Sequence, residues 1–199
     1  IYNSNGPMLE ALLKESGVKQ IQSYKAADDK ESLQKIIDQA LIENDILLLS
    51  GGISVGDYDY VKECLNTAKV KELFYKIKQR PGKPMFAGKK EKKLIFALPG
   101  NPASVHSCFI QYVRPSINFW LGKTAVWEAD HNLETCEDIP KKTGFTHFMK
   151  GKKNGNKVEL LKGQQSFNLQ AFSTAECLLE LPAENSVVTA GTKVKVYDL

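Results

Sequence analysis

The sequence predicts an α/β protein: a doubly wound, mostly parallel sheet over residues 1–123, then a small β-rich, barrel-like domain over residues 124–199. Three observations carry this reading. Amphipathic helical stretches alternate with short strand-like runs up to Leu121, the pattern of a sheet wound with helices. The run Ile46–Leu49, set between two such stretches, has the unbroken hydrophobicity of a buried parallel strand. After Leu121-Gly122 no long amphipathic helix stands out, and alternating strands and turn residues take over.

Each element follows in order. Ser4 or Asn5 caps a first helix, with Pro7 in its first turn, Met8, Leu9, Leu12 and Leu13 on one face, and Gly17 as its stop. A strand of mixed pattern is expected at about 18–24. In AADDKESLQKIIDQALIEN, Asp28 and Glu31 have the spacing of a capping box, and Leu33, Ile36, Ile37, Ala40 and Leu41 recur at helical intervals. Ile46–Ser50 is the buried strand, and about 58–68 is helical again. ELFYKIKQRPGKPMFAG and KKLIFALPGNP give two or three strands that end in Gly and Pro turns, and Asn101-Pro102 open a long helix to about Trp120. In the second half, FTHFMKGKKNGNKVELL reads as two strands around an Asn154-Gly155 turn, and AECLLELP and TKVKVYDL as two more.

Composition narrows the function. At 199 residues, 42% hydrophobic and 25% charged, the chain has the make-up of globular protein. No apolar run approaches the roughly 18 residues of a membrane span, and no basic-then-apolar leader opens the chain, so a cytoplasmic protein without a membrane partner is expected. The opening without methionine, directly on a helix cap, reads as a fragment of a longer polypeptide. Cys64, Cys108, Cys136 and Cys177 form no C-x-x-C pair, and His106, His131 and His147 lack ligand spacing, so neither a disulfide framework nor a zinc site is indicated. Residues 1–123 hold 18 Lys/Arg and 13 Asp/Glu, net +5, against net −1 for 124–199. Lys89, Lys90, Lys92 and Lys93 read as a solvated hairpin tip. Arg80, Pro81, Gly82 and Lys83 instead put two cations on a stiff turn, which suits a small phosphate-rich anion. The overall +4 is too weak for a nucleic-acid partner.

The loop after Leu49 carries most of the chemistry. Ligands of open α/β sheets bind beyond the carboxyl ends of the strands, where glycines let backbone N–H groups approach an anion. Ser50, Gly51, Gly52, Ser54 and Gly56 therefore form a candidate phosphate cradle, equally readable as a tight strand-to-helix turn. Asp57 and Asp59 follow at once. Carboxylates beside a phosphate call for a divalent cation between them, and Mg²⁺ is the usual one. Asp57 also suits the cap of the next helix and Asp59 its dipole.

Four motifs, NSNGPML, SGGISVGDYDYVK, RPGKPMFAG and LPGNPASV, in this order and at these separations, resemble the molybdopterin molybdenumtransferases, the molybdenum-insertase family of bacterial MoeA and the gephyrin E domain. GQQSFNLQAFSTAECLLELP is similar to that family's last domain, so the resemblance covers the whole chain. It implies a molybdopterin-binding, MogA-like domain lacking its first strand, with the family's N-terminal half having no counterpart here. It also implies the activity: molybdate and adenylylated molybdopterin as substrates, Mg²⁺ as cofactor, and release of AMP as molybdenum passes to the dithiolene. By motif, the family's site carboxylates fall on Asp28 and Asp59, its cations on Lys76 and Arg80, and its site prolines on Pro99 and Pro102, which flank Gly100 and Asn101. Lys150 and Ser166 are the matching positions in the last domain, and Asp57 with Asp59 the expected metal ligands. Lys83 joins Lys76 and Arg80 in holding phosphates or molybdate. At Arg80 and Lys150 one cation type replaces the other, and the two are not equivalent for oxyanions. A homodimer is expected, with a site completed by the partner subunit, and an adenylyltransferase as a further partner; the fragment by itself is expected to be inactive. Three other readings stay open: a molybdopterin adenylyltransferase, a non-catalytic gephyrin-like scaffold, and a catalytically idle paralogue.

Overall fold

Helices begin where side chains can take up the free N–H groups of a first turn. The structure, a computed structural model, describes residues 3–53, 60–165 and 170–199. By contacts the chain divides into two units, Ile1–Ile77 with Gly82–Asn101, and Lys78–Pro81 with Pro102–Leu199.

In the first unit α1 (Asn5–Glu15) starts at Ser4, which makes no side-chain cap bond. Asn3 acts instead, its Oδ1 accepting the Gly6 N–H at 3.0 Å. Gly17, at φ +88°, ends the helix as expected. Residues 18–24 form no strand: no ladder joins them to any described residue, and a strand exists only through its neighbour's hydrogen bonds. The cap of α2 (Lys30–Glu43) also differs from expectation. Asp29, not Asp28, accepts the Ser32 N–H at 2.8 Å, so the capping pair is displaced by one residue and Asp28 is left exposed.

β1 (Ile46–Ser50), α3 (Tyr60–Thr67), β2 (Lys71–Tyr75), β4 (Phe86–Lys90) and β5 (Lys93–Leu98) complete this unit, with β3 (Gln79–Arg80) joining the other. The sheet runs β1-β5-β4-β2 and is mixed, which corrects the mostly parallel, doubly wound expectation. Only β1 and β5 are parallel; β5 with β4 and β4 with β2 are antiparallel. The connections explain it. Two residues, Glu91 and Lys92, join β4 to β5, and so short a link permits only a hairpin, whereas parallel neighbours need a long crossover. Ile37 and Leu41 of α2 and Val61, Cys64 and Leu65 of α3 bury against Phe86, Ile95 and Ala97 of the sheet. β1 lies at the sheet's edge, and Ile46 to Leu49 are only half-buried, where a buried strand was expected.

In the second unit the long helix forms as predicted from Pro102, but in three parts: α4 (Pro102–Cys108), a π-helical segment (Phe109–Val113) and α5 (Arg114–Trp120). The rest is β6 (His131–Thr135), β7 (Ile139–Pro140), β8 (Thr146–Asn154), β9 (Lys157–Leu160), β10 (Cys177–Leu181), β11 (Val187–Val188) and β12 (Lys193–Asp198). The order β10-β12-β6-β9-β8 closes on itself through β8 and β10, giving a five-stranded barrel. Closure removes free edges. β3 adds to β8 in parallel, Gln79 opposite Thr146 and Arg80 opposite His147. Cys177, Leu179, Leu181, Val194 and Val196 fill the barrel, and Gly151 is glycine because a Cβ there would lie 2.3 Å from Leu179 Cδ1. Among the described residues no helix is long and apolar enough to cross a membrane.

Two outcomes follow from these contacts. Asp29→Ala should cost about 1 kcal/mol in urea unfolding, the usual loss of an N-cap. His106, beside the Phe172 ring at 4.3 Å between centroids, has its pKa pushed down to about 4 by burial first and then by the Arg114 and Lys150 cations. The unfolded chain, with the ordinary value of 6.5, therefore takes up the proton first. Stability is full above pH 6.5 and should fall by up to about 3 kcal/mol as pH drops toward 4, a component that His106→Phe removes in parallel unfolding titrations.

Candidate functional site

In the first unit the parallel pair β1 and β5 ends in register, Ser50 opposite Leu98. The chain therefore leaves the two strands side by side. Gly51 and Gly52 turn at φ +82° and +71°, conformations that favour glycine. A Cβ on Gly100 would sit 4.0 Å from the Gly51 Cα, and one on Gly52 would meet Val61 Cγ2 at 2.9 Å. Of the residues predicted for the cradle, Ser50, Gly51, Gly52 and Gly100 are thus brought together, with Pro99 buried and Asn101 exposed. Ser54, Gly56, Asp57 and Asp59 lie outside the described residues. The start of α1 belongs to the same edge, because Asn5 Nδ2 donates to the Gly100 carbonyl at 2.9 Å. Sequence reasoning saw in Asn5 only a helix cap; its place in the NSNGPML motif was the available signal. Bare backbone and small residues at two strand ends make a surface that a phosphate can approach closely.

Three further predicted residues lie in this unit. Lys76 takes φ +59°, which is costly for a residue with a Cβ, while its N–H donates to the Met85 carbonyl at 3.0 Å. Its Nζ lies 4.8 Å from the Tyr75 ring centroid, and no carboxylate pairs with it among the described residues. Lys83 is exposed on the turn that the Ile77 N–H closes onto its carbonyl at 3.0 Å. Asp28 is exposed and relieved of capping by Asp29. Among the described residues no three His, Cys, Asp or Glu side chains gather as a metal site. Asp28, the one described carboxylate of the expected set, is an oxygen donor of the kind Mg²⁺ prefers, and by itself it does not make a site for the ion.

In the second unit Arg80 and Lys150 face opposite ways. Side chains alternate along β8, so Arg80 shares the face of His147 and Lys150 that of Phe148. The Arg80 guanidinium lies 4.8 Å from the Phe145 ring centroid. His147, whose Nε2 is buried without a hydrogen-bond partner, has its pKa lowered by burial, then by Lys141 and Arg80. Lys150 is 4% exposed, and its Nζ lies 5.0 Å from the Phe172 ring centroid. Burial lowers its pKa, and no carboxylate pairs with it among the described residues. Gln164 fixes its backbone, accepting the Lys150 N–H at 2.9 Å and donating to its carbonyl at 2.8 Å. Ser166 lies outside the described residues. Pro102 opens α4, four residues before His106, whose Nδ1 is buried and unpartnered. His106, Gln164 and Phe172 were not singled out from sequence, although the last two sit in the quoted GQQSFNLQAF stretch.

The family of probable molybdopterin binding domains matches residues 1–118, and that of the MoeA C-terminal region, domain IV, matches residues 132–199. A molybdopterin molybdenumtransferase of Staphylococcus epidermidis is 33% identical over 98% of this chain and 48% of its own length. A molybdopterin biosynthesis MoeA protein from Pyrococcus horikoshii superposes with a TM-score of 0.81 at 27% identity, over the whole of this chain and 48% of that one. A molybdenum cofactor biosynthesis protein from Pyrococcus furiosus shares the fold at 21% identity and a TM-score of 0.77, over 97% and 63%. The chain thus spans about half the length of the curated relatives it matches. With both of its parts matched in the family's own order, this chain belongs to the molybdopterin molybdenumtransferase family typified by MoeA.

Proposed function

We propose that this chain is the substrate-binding portion of a molybdenum insertase, which takes adenylylated molybdopterin and molybdate, splits the anhydride to release AMP, and yields molybdenum cofactor. The observation that carries it is Lys150, a nearly fully buried cation without a carboxylate among the described residues. Burying a lone charge is costly, and a site that awaits an oxyanion accounts for it. Membership of the molybdopterin molybdenumtransferase family supports molybdate or a molybdopterin phosphate as that anion.

In this reading residues 1–123 bind the molybdopterin nucleotide and 124–199 contribute Lys150 and Ser166. Backbone N–H groups about Ser50, Gly51, Gly52, Ser54, Gly56 and Gly100 receive phosphate. Lys76, Arg80 and Lys83 hold the remaining phosphate or molybdate oxygens, Arg80 by a fork and the lysines as point charges. Pro99, Asn101 and Pro102 shape the second loop. Asp28, Asp57 and Asp59 would hold Mg²⁺, which neutralises phosphate charge when bound. Anhydride cleavage is chiefly positioning and charge neutralisation, so no side-chain nucleophile is required. The full-length protein works as a cytoplasmic homodimer, receiving its substrate from an adenylyltransferase.

AMP release from adenylylated molybdopterin by the full-length protein tests this directly. Asp28→Asn and Asp59→Asn should each fold normally yet lose about a hundredfold or more in Mg²⁺-dependent turnover, the scale of a lost transition-state contact. Asp29→Asn is the control. Asparagine caps a helix as well as aspartate, so it should keep most activity, and near-normal turnover in both Asp28→Asn and Asp59→Asn would sink the metal assignment. Lys150→Met should raise the melting temperature by removing a buried cation that has no carboxylate beside it among the described residues, while weakening molybdate binding about tenfold or more, as expected for a deleted charge-assisted hydrogen bond. A variant that melts lower and binds molybdate normally would make Lys150 structural.

A further inference from the structure

Gln79 is buried to 2% exposure at a position where a leucine would fill the same space. Its amide is fully engaged. Tyr112 of the π-helical segment donates its hydroxyl to Gln79 Oε1, and Gln79 Nε2 donates to the Pro81 carbonyl at 3.0 Å and to Cys108 Sγ at 3.5 Å. The bond to Pro81 is the telling one. It runs from the residue before Arg80 to the residue after it, so one side chain braces the backbone on both sides of Arg80. Tyr112 and Cys108 tie that brace to the long helix.

Without the brace Arg80 would have little to fix it. β3 is two residues long, held to β8 by the pairs Gln79 with Thr146 and Arg80 with His147, and by the Thr146 N–H to the Lys78 carbonyl at 3.0 Å. Alternation buries Gln79 and leaves Arg80 exposed, where the guanidinium lies over Phe145 with no carboxylate partner among the described residues. A buried amide network adds little net stability over apolar packing, but when fully satisfied it specifies one arrangement. We propose that Gln79 and Tyr112 are positioning residues that hold Arg80 in the orientation needed to grip an oxyanion. The proposal rests on the reading of Arg80 as an anion-binding residue.

The test is a double-mutant cycle in the full-length protein, read as the dissociation constant for sodium molybdate in isothermal titration well below the melting temperature. Gln79→Leu combined with Tyr112→Phe removes the hydroxyl donor and its amide acceptor together and leaves the Pro81 carbonyl, on a half-buried residue, to take its hydrogen bond from water, so the melting temperature should fall only slightly. Affinity should nevertheless fall about tenfold, within the range of coupled neighbours, and the loss should vanish when Arg80 is already alanine. If the double variant binds molybdate normally while Arg80→Ala does not, the positioning role is wrong and the anion-binding reading stands. If the loss persists undiminished beside Arg80→Ala, the network acts on the fold and not through Arg80, and the proposal falls. If Arg80→Ala itself binds normally, the reading of Arg80 fails and takes the proposal with it. Should the double variant not fold, Tyr112→Phe alone runs through the same cycle, with the same outcomes decisive.

Discussion

One pairing organises the first unit: the parallel alignment of β1 with β5, from Ile46 opposite Leu94 to Ser50 opposite Leu98. All other pairs in that sheet are antiparallel, and antiparallel neighbours finish at opposite ends. Only a parallel pair can present two carboxyl-terminal loops at the same place. Gly51 and Gly100 approach within a side chain's width because of it, and Asn5 is drawn to the Gly100 carbonyl for the same reason. A side chain on Gly51 would strain its own turn at φ +82°, whereas a Cβ on Gly100 would come only into ordinary contact with the Gly51 Cα at 4.0 Å.

The cations share a second constraint. Lys76, Arg80 and Lys150 each lie near an aromatic ring, Tyr75, Phe145 and Phe172 in turn, and none has a carboxylate among the described residues. A ring attracts a cation and restricts its movement without cancelling its charge. A carboxylate would hold the side chain more firmly but would compete with any arriving anion. Stacking thus keeps a positive group placed and still available. The neutral state of His106 belongs to the same arrangement, since Arg114 and Lys150 oppose a further positive charge there.

Local signals in the sequence translated well into structure, and long-range ones did not. The helix from Pro102, the Asn154-Gly155 hairpin and the β10 and β12 strands all rest on periodicity or turn chemistry within a few residues, and all are present. Strand direction is different. Lys89 to Lys93 already read as a hairpin tip, which implies antiparallel neighbours, yet the helix alternation dominated the choice of sheet class. Two consecutive aspartates made the cap of α2 ambiguous by one residue, and Ser32 decided for Asp29. Residues 18–24 have strand-like character but no neighbour to bond. Of the candidate site, the motifs named Gly51, Gly100 and Arg80 in advance, and Gly51 and Gly100 do meet. Gln79, His106 and Phe172 were not legible, because their roles come from partners about 30 to 70 residues away.

The edge position of β1 has a material consequence. Ile46, Leu47, Leu48 and Leu49 are aliphatic, half-buried and bonded on one side only among the described residues. An aliphatic edge with open N–H and C=O groups is a template on which another extended chain can deposit. Neither proline nor charge interrupts those four residues, and charge or proline is how proteins ordinarily blunt such an edge. At high concentration this strip favours self-association into β-rich aggregates, in competition with the native fold.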